Sequence, residues 1–561
     1  MTHSLIRKKF DIRLSEMKNI RQPHEAPLKD IRDYQAPNRG NFDEDKGKEG
    51  QRKDGKIYNG SPGLSLRTLE AGMNAGVTSP SRPWFRLSMA NRELMEREDV
   101  RAYLRGVEEA MYQIFSRSNF YPMASALYLE LGAFGTAAMS VQADFEDVAI
   151  FDTYTIGEYW IATNARNKVD VLYRRIWMTP TQLIEKFGKE NVSQSVRTLA
   201  GKAGNDLATE EKIKVIHAVE PNDDRIPNMI DAKNKAYRSV YYEEGAPSNQ
   251  NEFLNVSGFD TFPYMVSRWK TNGSDPYGTD QPGIIVLGDA KQLQSGTFRK
   301  AAGLDRNLNP PLQIPADLKN QTVHNVPGGA TYTTSFNQGD GIKPLYEVRV
   351  PLGDIIQDIQ EIENRIRSAY YVDLFLAIQA NNRPQDMKAE VAFQIDKERL
   401  LMLGPVLESL NEDFLDPLID RVFELGENAG AFPEAPEDLK GADLNVEYVS
   451  SLAKAQKINA ISNMERLTGL VGLWAGIDPG VVDKLDLDQA VDEASEILDV
   501  PTSIIRSDDE VKVVRDAKQA VANQQIMLQA GEVAAGAAKD LANAPIGTGN
   551  MLEQLAGVQA P

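Results

Sequence analysis

The sequence predicts an α+β protein that is mostly helical, and three patterns carry that prediction. Leu352, Ile355, Ile359, Ile362, Ile366 and Ala369 recur at alternating steps of three and four, the seam of a helix that needs neighbours to bury it. Val391, Ala392, Ile395, Leu400, Leu403, Leu407, Leu410 and Phe414 repeat at core spacing on a second helix, which Gly404-Pro405 is expected to kink. Upstream, Tyr159-Trp160-Ile161-Ala162 and Val169-Asp170-Val171-Leu172-Tyr173 alternate as strands, close to a helix over 99–117 with Val100, Tyr103, Leu104, Val107 and Met111 on one face. Helices and short strands interleaved in this way make an α+β module.

Taken in order, residues 1–60 include the charged run 41–54, too poor in apolar residues to order itself, and a loose arm is expected. Asp43 and Asp45 superficially suggest a calcium loop, but the sixth-position glycine and closing glutamate are missing. Residues 61–280 hold the mixed module, in which Trp84, Tyr128, Trp160 and Trp177 are read as packed core. A helix is expected from Gln281 to Leu304, with Pro282 in its first turn. The stretch 309–348 is rich in Pro, Gly, Asn and Thr, with a candidate strand over 330–336. Between the two apolar helices lies the polar, proline-broken loop 380–386. Beyond Pro433, short helices are separated by Gly469, Gly472, Pro479-Gly480 and Pro501, and the tail after Asp509 thins into Ala, Gly and Gln.

A chain of 561 residues with its apolar residues in short segments implies several modules. It has no cysteine, which excludes disulfides, thiolate metal sites and a cysteine nucleophile. No window approaches the ~18 apolar residues of a membrane span, and the basic N-terminus lacks a signal-length apolar run, so a soluble, unexported chain with no membrane partner is expected. A net charge of −19 argues against a broad basic face that grips nucleic acid. By itself such a charge speaks first to solubility.

Catalytic patterns are missing. Gly47-Lys48, Gly55-Lys56, Gly188-Lys189 and Gly201-Lys202 all lack the following Ser or Thr of a phosphate loop. His3, His24, His217 and His324 are too scattered for a zinc site or a triad, and paired carboxylates such as Glu108-Glu109, Glu361 with Glu363, and Asp508-Asp509 are expected by chance among 81 acids. The expectation is no catalytic residue, no metal and no cofactor.

Several short segments occur together in one order: Ser81-Arg82-Pro83-Trp84-Phe85-Arg86-Leu87, Ser118-Asn119-Phe120-Tyr121, Leu131-Gly132-Ala133-Phe134-Gly135-Thr136-Ala137 and Tyr173-Arg174-Arg175. They continue with Met178-Thr179-Pro180-Thr181-Gln182-Leu183, Pro276-Tyr277-Gly278, Asn309-Pro310-Pro311-Leu312, Val326-Pro327-Gly328-Gly329, Met387-Lys388-Ala389-Glu390-Val391 and Leu403-Gly404-Pro405-Val406-Leu407. In this order the chain resembles the portal proteins, or head-to-tail connectors, of short-tailed bacteriophages, from about Ser79 to Val500.

The resemblance implies a portal fold with wing, stem, clip and crown that assembles into a ring. It divides the chain into a flexible arm (1–60), wing (61–280), first stem helix (281–306), clip (307–350), second stem helix (351–379), tunnel loop (380–388), long kinked wing helix (389–432), crown (433–510) and a partly disordered tail (511–561). It implies that Asn381, Asn382, Arg383 and Lys388 meet DNA in the channel, and that the seam of Ile355, Ile359, Ile362 and Ile366 serves the subunit interface. The implied partners are eleven further copies in a dodecamer, the major capsid and scaffolding proteins, the terminase large subunit, a tail adaptor and double-stranded DNA read without sequence preference. The implied place is a capsid vertex of the virion, after assembly in the host cytoplasm. An internal ejection protein or tail-tube subunit is the other structural reading, and the Pro-rich insertion between two helices argues against it.

Overall fold

A computed structural model describes residues 3–42, 54–89, 97–203, 212–226, 229, 231–245, 253–314, 319, 322–324, 342–345, 352–379, 403–436, 439 and 444–449, with short pieces between 464 and 539. The chain divides into two compact units, Met1–Gln456 and Lys457–Pro561. In the second unit the described residues form helices over 466–475 and 511–521 and a 3-10 turn, Pro479–Lys484.

The first unit begins with α1, His3–Gln35. Here the structure corrects the expected loose arm for residues 3–42, while most of the charged run, 43–53, lies outside the described residues. Phe10, Leu14 and Met17, at steps of four and three, are buried against Trp160, Tyr173, Ile216 and Tyr242. Pro23 and Pro27 lie inside the helix and remove ladder bonds. Distant groups fix this stretch, with the Arg21 guanidinium donating to the Tyr159 carbonyl at 2.7 Å and lying over the Trp160 ring.

The surface under α1 is an antiparallel sheet in the order β4 (Tyr159–Thr163), β5 (Val169–Met178), β6 (Ile213–Pro221), β7 (Tyr237–Glu243), β8 (Asn255–Phe259). The expected strands at 159–162 and 169–173 are β4 and the start of β5. Alternation sorts the sheet's two faces: Ile216 and Ala218 of β6 pack toward α1, whereas Val215 packs with Leu183 and Phe187 of α5 (Pro180–Phe187) and Val196 of α6 (Gln194–Ala203). Thr179 opens α5 with a capping box, its hydroxyl taking the Gln182 N–H while the Gln182 side chain takes the Thr179 N–H.

A helical core adjoins this sheet. It contains α2 (Ser61–Gly76), α3 (Glu98–Arg117) and α4 (Phe120–Phe134), and α4 packs on a three-stranded sheet in the order β3 (Val148–Tyr154), β2 (Thr136–Asp144), β9 (Tyr264–Arg268). The expected helix over 99–117 is α3. Gly135 ends α4 at φ 76°, a conformation that costs glycine little. A Cβ on Gly278 would lie 1.9 Å from the Gly135 carbonyl oxygen, so two glycines about 140 residues apart let two backbones touch.

The expected helix from Gln281 is interrupted at Val286, giving α7 (Pro282–Ile285) and α8 (Leu287–Leu308). Pro310 and Pro311 follow its end. In the insertion, β10 (Leu312–Gln313) pairs with β11 (Lys343–Pro344), and the strand expected at 330–336 lies outside the described residues. The isoleucine seam is α9, Leu352–Ala369, followed by α10, Val372–Gln379. Helix resumes over 403–410, widens to a π turn at Asn411–Leu415 and continues as α11, Asp416–Asn428. Pro405 falls in the first described turn, so the visible irregularity is the π turn. Its cause is Pro417, which cannot donate to the Asp413 carbonyl; the Asp416 N–H bonds instead to Asn411. Finally β12, Leu444–Tyr448, pairs antiparallel with β1, Phe85–Met89, so residues that the expected division gave to a crown of short helices form a strand paired with residues from the expected wing. The first unit extends past the expected boundary at 433.

Candidate functional site

The helix pair α8 and α9 is where the expected interface residues can be located. Asp289, in the first turn of α8, accepts from Arg365 near the end of α9 at 2.7 Å, so the two helices run antiparallel. Beside them, Gln294 binds the chain that enters α2. Its Oε1 takes the Tyr58 and Asn59 N–H groups at 2.6 and 2.8 Å, and its Nε2 donates to the Asn59 carbonyl at 2.8 Å. Glu363 on α9 accepts from Asn59 Nδ2 and Ser61 Oγ at 2.8 and 3.0 Å. These bonds fix α2, α8 and α9 as one bundle.

That bundle corrects the expected seam. Ile359, Ile362 and Ile366 are 8, 1 and 0% exposed within a single chain, and Ile355 is half-buried against the same core. The residues that cover them come from the chain itself, so the stripe is core and offers little to a second subunit. The outer surface of α9 instead carries exposed Asp354, Asp358, Glu361 and Ile356. Below it, Tyr370 is wholly buried with its hydroxyl donating to Gln35 Oε1, while Gln35 Nε2 donates to the Gly283 carbonyl at 2.8 Å. Burial pushes the Tyr370 hydroxyl far above its ordinary value, so it stays a donor. The corner into α10 places Tyr371 at φ 54°. Asn381, Asn382, Arg383 and Lys388 lie outside the described residues, between α10 and the helix that resumes at 403.

On the far side of that gap the π turn is tied to the sheets. Arg268 of β9 grips Asp413 with Nε and Nη2 at 3.0 and 3.1 Å, and Nη2 also donates to the Asn167 carbonyl at 2.8 Å. The side chains of Arg268 and Asp413 are 4 and 12% exposed. Sequence reasoning missed both, since a lone Arg and Asp 145 residues apart carry no local signal; Pro417 was the available clue to the π turn.

Two buried titratable groups complete the electrostatics. His217 is sealed between sheets, with Nε2 and Nδ1 each 2.9 Å from Ser239 Oγ and Tyr264 Oη and its ring stacked on Tyr241. Burial, with Arg174 and Lys186 nearby, pushes it down to about 3, so it is a neutral structural residue. Glu130 of α4 is fully buried, accepting from Thr155 Oγ1 at 2.7 Å and the Ile156 N–H at 3.1 Å, with Arg39 at 3.8 Å. Burial lifts its carboxyl to about 7 against the pull of Arg39. The Gly40 N–H bonds to the same Thr155 hydroxyl at 2.6 Å, so Glu130 sits under the chain that follows α1. Among the described residues no group of three or more His, Asp or Glu could hold a metal ion, and no helix is long and apolar enough to cross a membrane.

Comparison with known proteins bears on the whole chain. The family model described as bacteriophage head to tail connecting protein matches residues 7–505. A portal protein of Salmonella phage epsilon15 is 38% identical over 530 residues, covering 94% of this chain and 94% of that protein. A probable portal protein of Bordetella phage BPP-1 is 38% identical over 537 residues, covering 96% and 95%. Among solved structures, a chain from the neck of an empty gene transfer agent particle aligns at 10% identity and a TM-score of 0.35, over 74% of this chain and 87% of that one.

Proposed function

The chain belongs to the bacteriophage head-to-tail connecting proteins, and on that premise we propose how it works. It serves as a portal at a capsid vertex, a structural part of the virion. The observation that carries this is identity of 38% along nearly the full length to portal proteins of two phages. Twelve copies close a ring around a channel. Double-stranded DNA enters through it during packaging, driven by a separate terminase ATPase, and leaves through it on ejection. The ring forms in the host cytoplasm with scaffolding and major capsid proteins, docks the terminase large subunit and later exchanges it for a tail adaptor.

In this reading 61–280 with β12 is the wing, α8 and α9 are the stem, the insertion between them is the clip, and the second unit carries the crown. Asn381, Asn382, Arg383 and Lys388 line the channel, where Arg383 and Lys388 make passing contacts to phosphate that carry no sequence information. The chain itself turns over neither nucleotide nor DNA, in keeping with its lack of a phosphate loop.

Negative-stain microscopy of the purified chain tests the reading. Closed rings with a central channel are expected. Monomers or open filaments at concentrations where related portals close would overturn it, and ATP hydrolysis abolished by a point change in this chain would overturn the non-enzymatic role.

A further inference from the structure

We propose that neighbouring subunits are joined by ion pairs between the basic outer face of α8 on one copy and the acidic face of α9 on the next. The proposal rests on the ring reading above and names the surface that closes the ring.

A ring needs two different patches on every subunit, one to give and one to receive, because a self-complementary patch stops at a dimer. The stem supplies such a pair. On α8, Ala290, Leu293 and Gln294 are buried, while Arg299 and Arg306 are exposed on the opposite side. Seven residues apart, they share a face. On α9, Asp354, Asp358 and Glu361 are exposed at steps of four and three, again one face. Each set therefore spans about 10 Å along its helix, from a rise of about 1.5 Å per residue. Among the described residues neither arginine has an ion pair, and neither do Asp354 and Asp358; Glu361 takes the Gln357 amide at 3.0 Å, and Asp358 and Glu361 feel Arg365 only at longer range, its guanidinium being held by Asp289. The antiparallel pairing of the helices puts both sets toward the same end of the stem, yet within one chain they do not reach one another. Other acids, on α1 and α8, do find cations: Asp30 binds Lys291 at 2.5 Å and Asp289 binds Arg365 at 2.7 Å. Opposite charges left over on two helices at one height fit a second copy of the same chain.

Apolar exposure flanks the basic set. Phe298, next to Arg299, is 52% exposed and leans on the exposed Tyr58 ring at 5.1 Å. A neighbour seated by the charges would cover the Phe298–Tyr58 pair, adding burial to a contact whose specificity and register are electrostatic.

The test uses the full chain in two charge-reversed forms, Arg299→Glu with Arg306→Glu, and Asp354→Arg with Asp358→Arg. Each alone places like charges across every interface, and rings counted by microscopy and light scattering should fall at least about tenfold while circular dichroism and melting temperature stay those of wild type. Mixed in equal amounts, the two should rebuild rings of alternating subunits, since each then meets its opposite on both sides. Rings that persist in either variant, or mixtures of folded variants that fail to rebuild them, overturn the proposal. Persistence in the acidic-face variant alone would instead assign that face to the channel. A wild-type chain that forms no rings is a failure of the ring reading, seen before any variant is made.

Discussion

Arg268 holds both carboxylate oxygens of Asp413, Nε to Oδ2 at 3.0 Å and Nη2 to Oδ1 at 3.1 Å, with both side chains nearly sealed from solvent. One edge of a β-sheet is thereby fastened to the π turn of a long helix. Lys168 to Glu412 at 3.3 Å is a second, exposed tie at the same place.

Asp413→Ala leaves the buried Arg268 with only Asn167. We expect a loss of about 3 kcal/mol, the cost of stranding one member of a buried pair. Arg268→Met combined with Asp413→Leu should recover much of it, because no unpaired charge then remains. Urea melts of the three forms check this; equal stability of all three would mean that the pair does not hold the turn.

Glu130 predicts a pH dependence of the less usual sign. Its folded carboxyl keeps the proton up to about 7, whereas the ordinary value is 4.5. Between these values the folded state binds more protons than the unfolded one, so this group's contribution to stability falls as pH rises through the window and stays lowered above it. Glu130→Gln cannot ionise. The stability difference, variant minus wild type, should grow by up to about 3 kcal/mol from pH 4.5 to 7.5. The difference must be used because His217, held neutral by burial, imposes the opposite slope below 6.5 in both proteins. A difference that does not change with pH refutes the assignment.

Ile362→Ala should destabilise the isolated subunit by about 2 to 4 kcal/mol, since it opens a cavity inside one chain. Ile359→Asp should give unfolded or insoluble chain. Folded monomer that merely fails to assemble would return the stripe to the subunit boundary. Ile356→Ser, on the outer surface of α9, should leave the melting temperature of the monomer unchanged.

Gly278→Ala should yield little soluble protein. The new methyl carbon would meet the Gly135 carbonyl oxygen at 1.9 Å, and a backbone group cannot step aside as a flexible side chain can. Gly288→Ala, where a Cβ meets nothing within 4 Å, is the matched control and should fold normally.

What the sequence determined by itself is local. The seam of α9, the face of α3 and the alternation in β4 and β5 are visible because a helix or strand repeats its buried positions every few residues. The order of short motifs also identified the family, and two of them, around Gly135 and Gly278, prove to be places where backbones touch. Tertiary structure alone decided what covers each face. Periodicity shows that Ile359 and Ile362 must be buried but is the same whether the cover is α2 and α8 of the same chain or another subunit. Residues 1–60 read as a loose arm on the strength of the charged run 41–54, because the aromatic surface that orders Phe10, Leu14 and Met17 lies about 150 residues or more away in sequence. β12 was read as the start of a separate region, since its partner β1 is more than 350 residues upstream. A strand or helix carries its own period, but not the identity of the surface that completes it, and burial free energy is set by that surface.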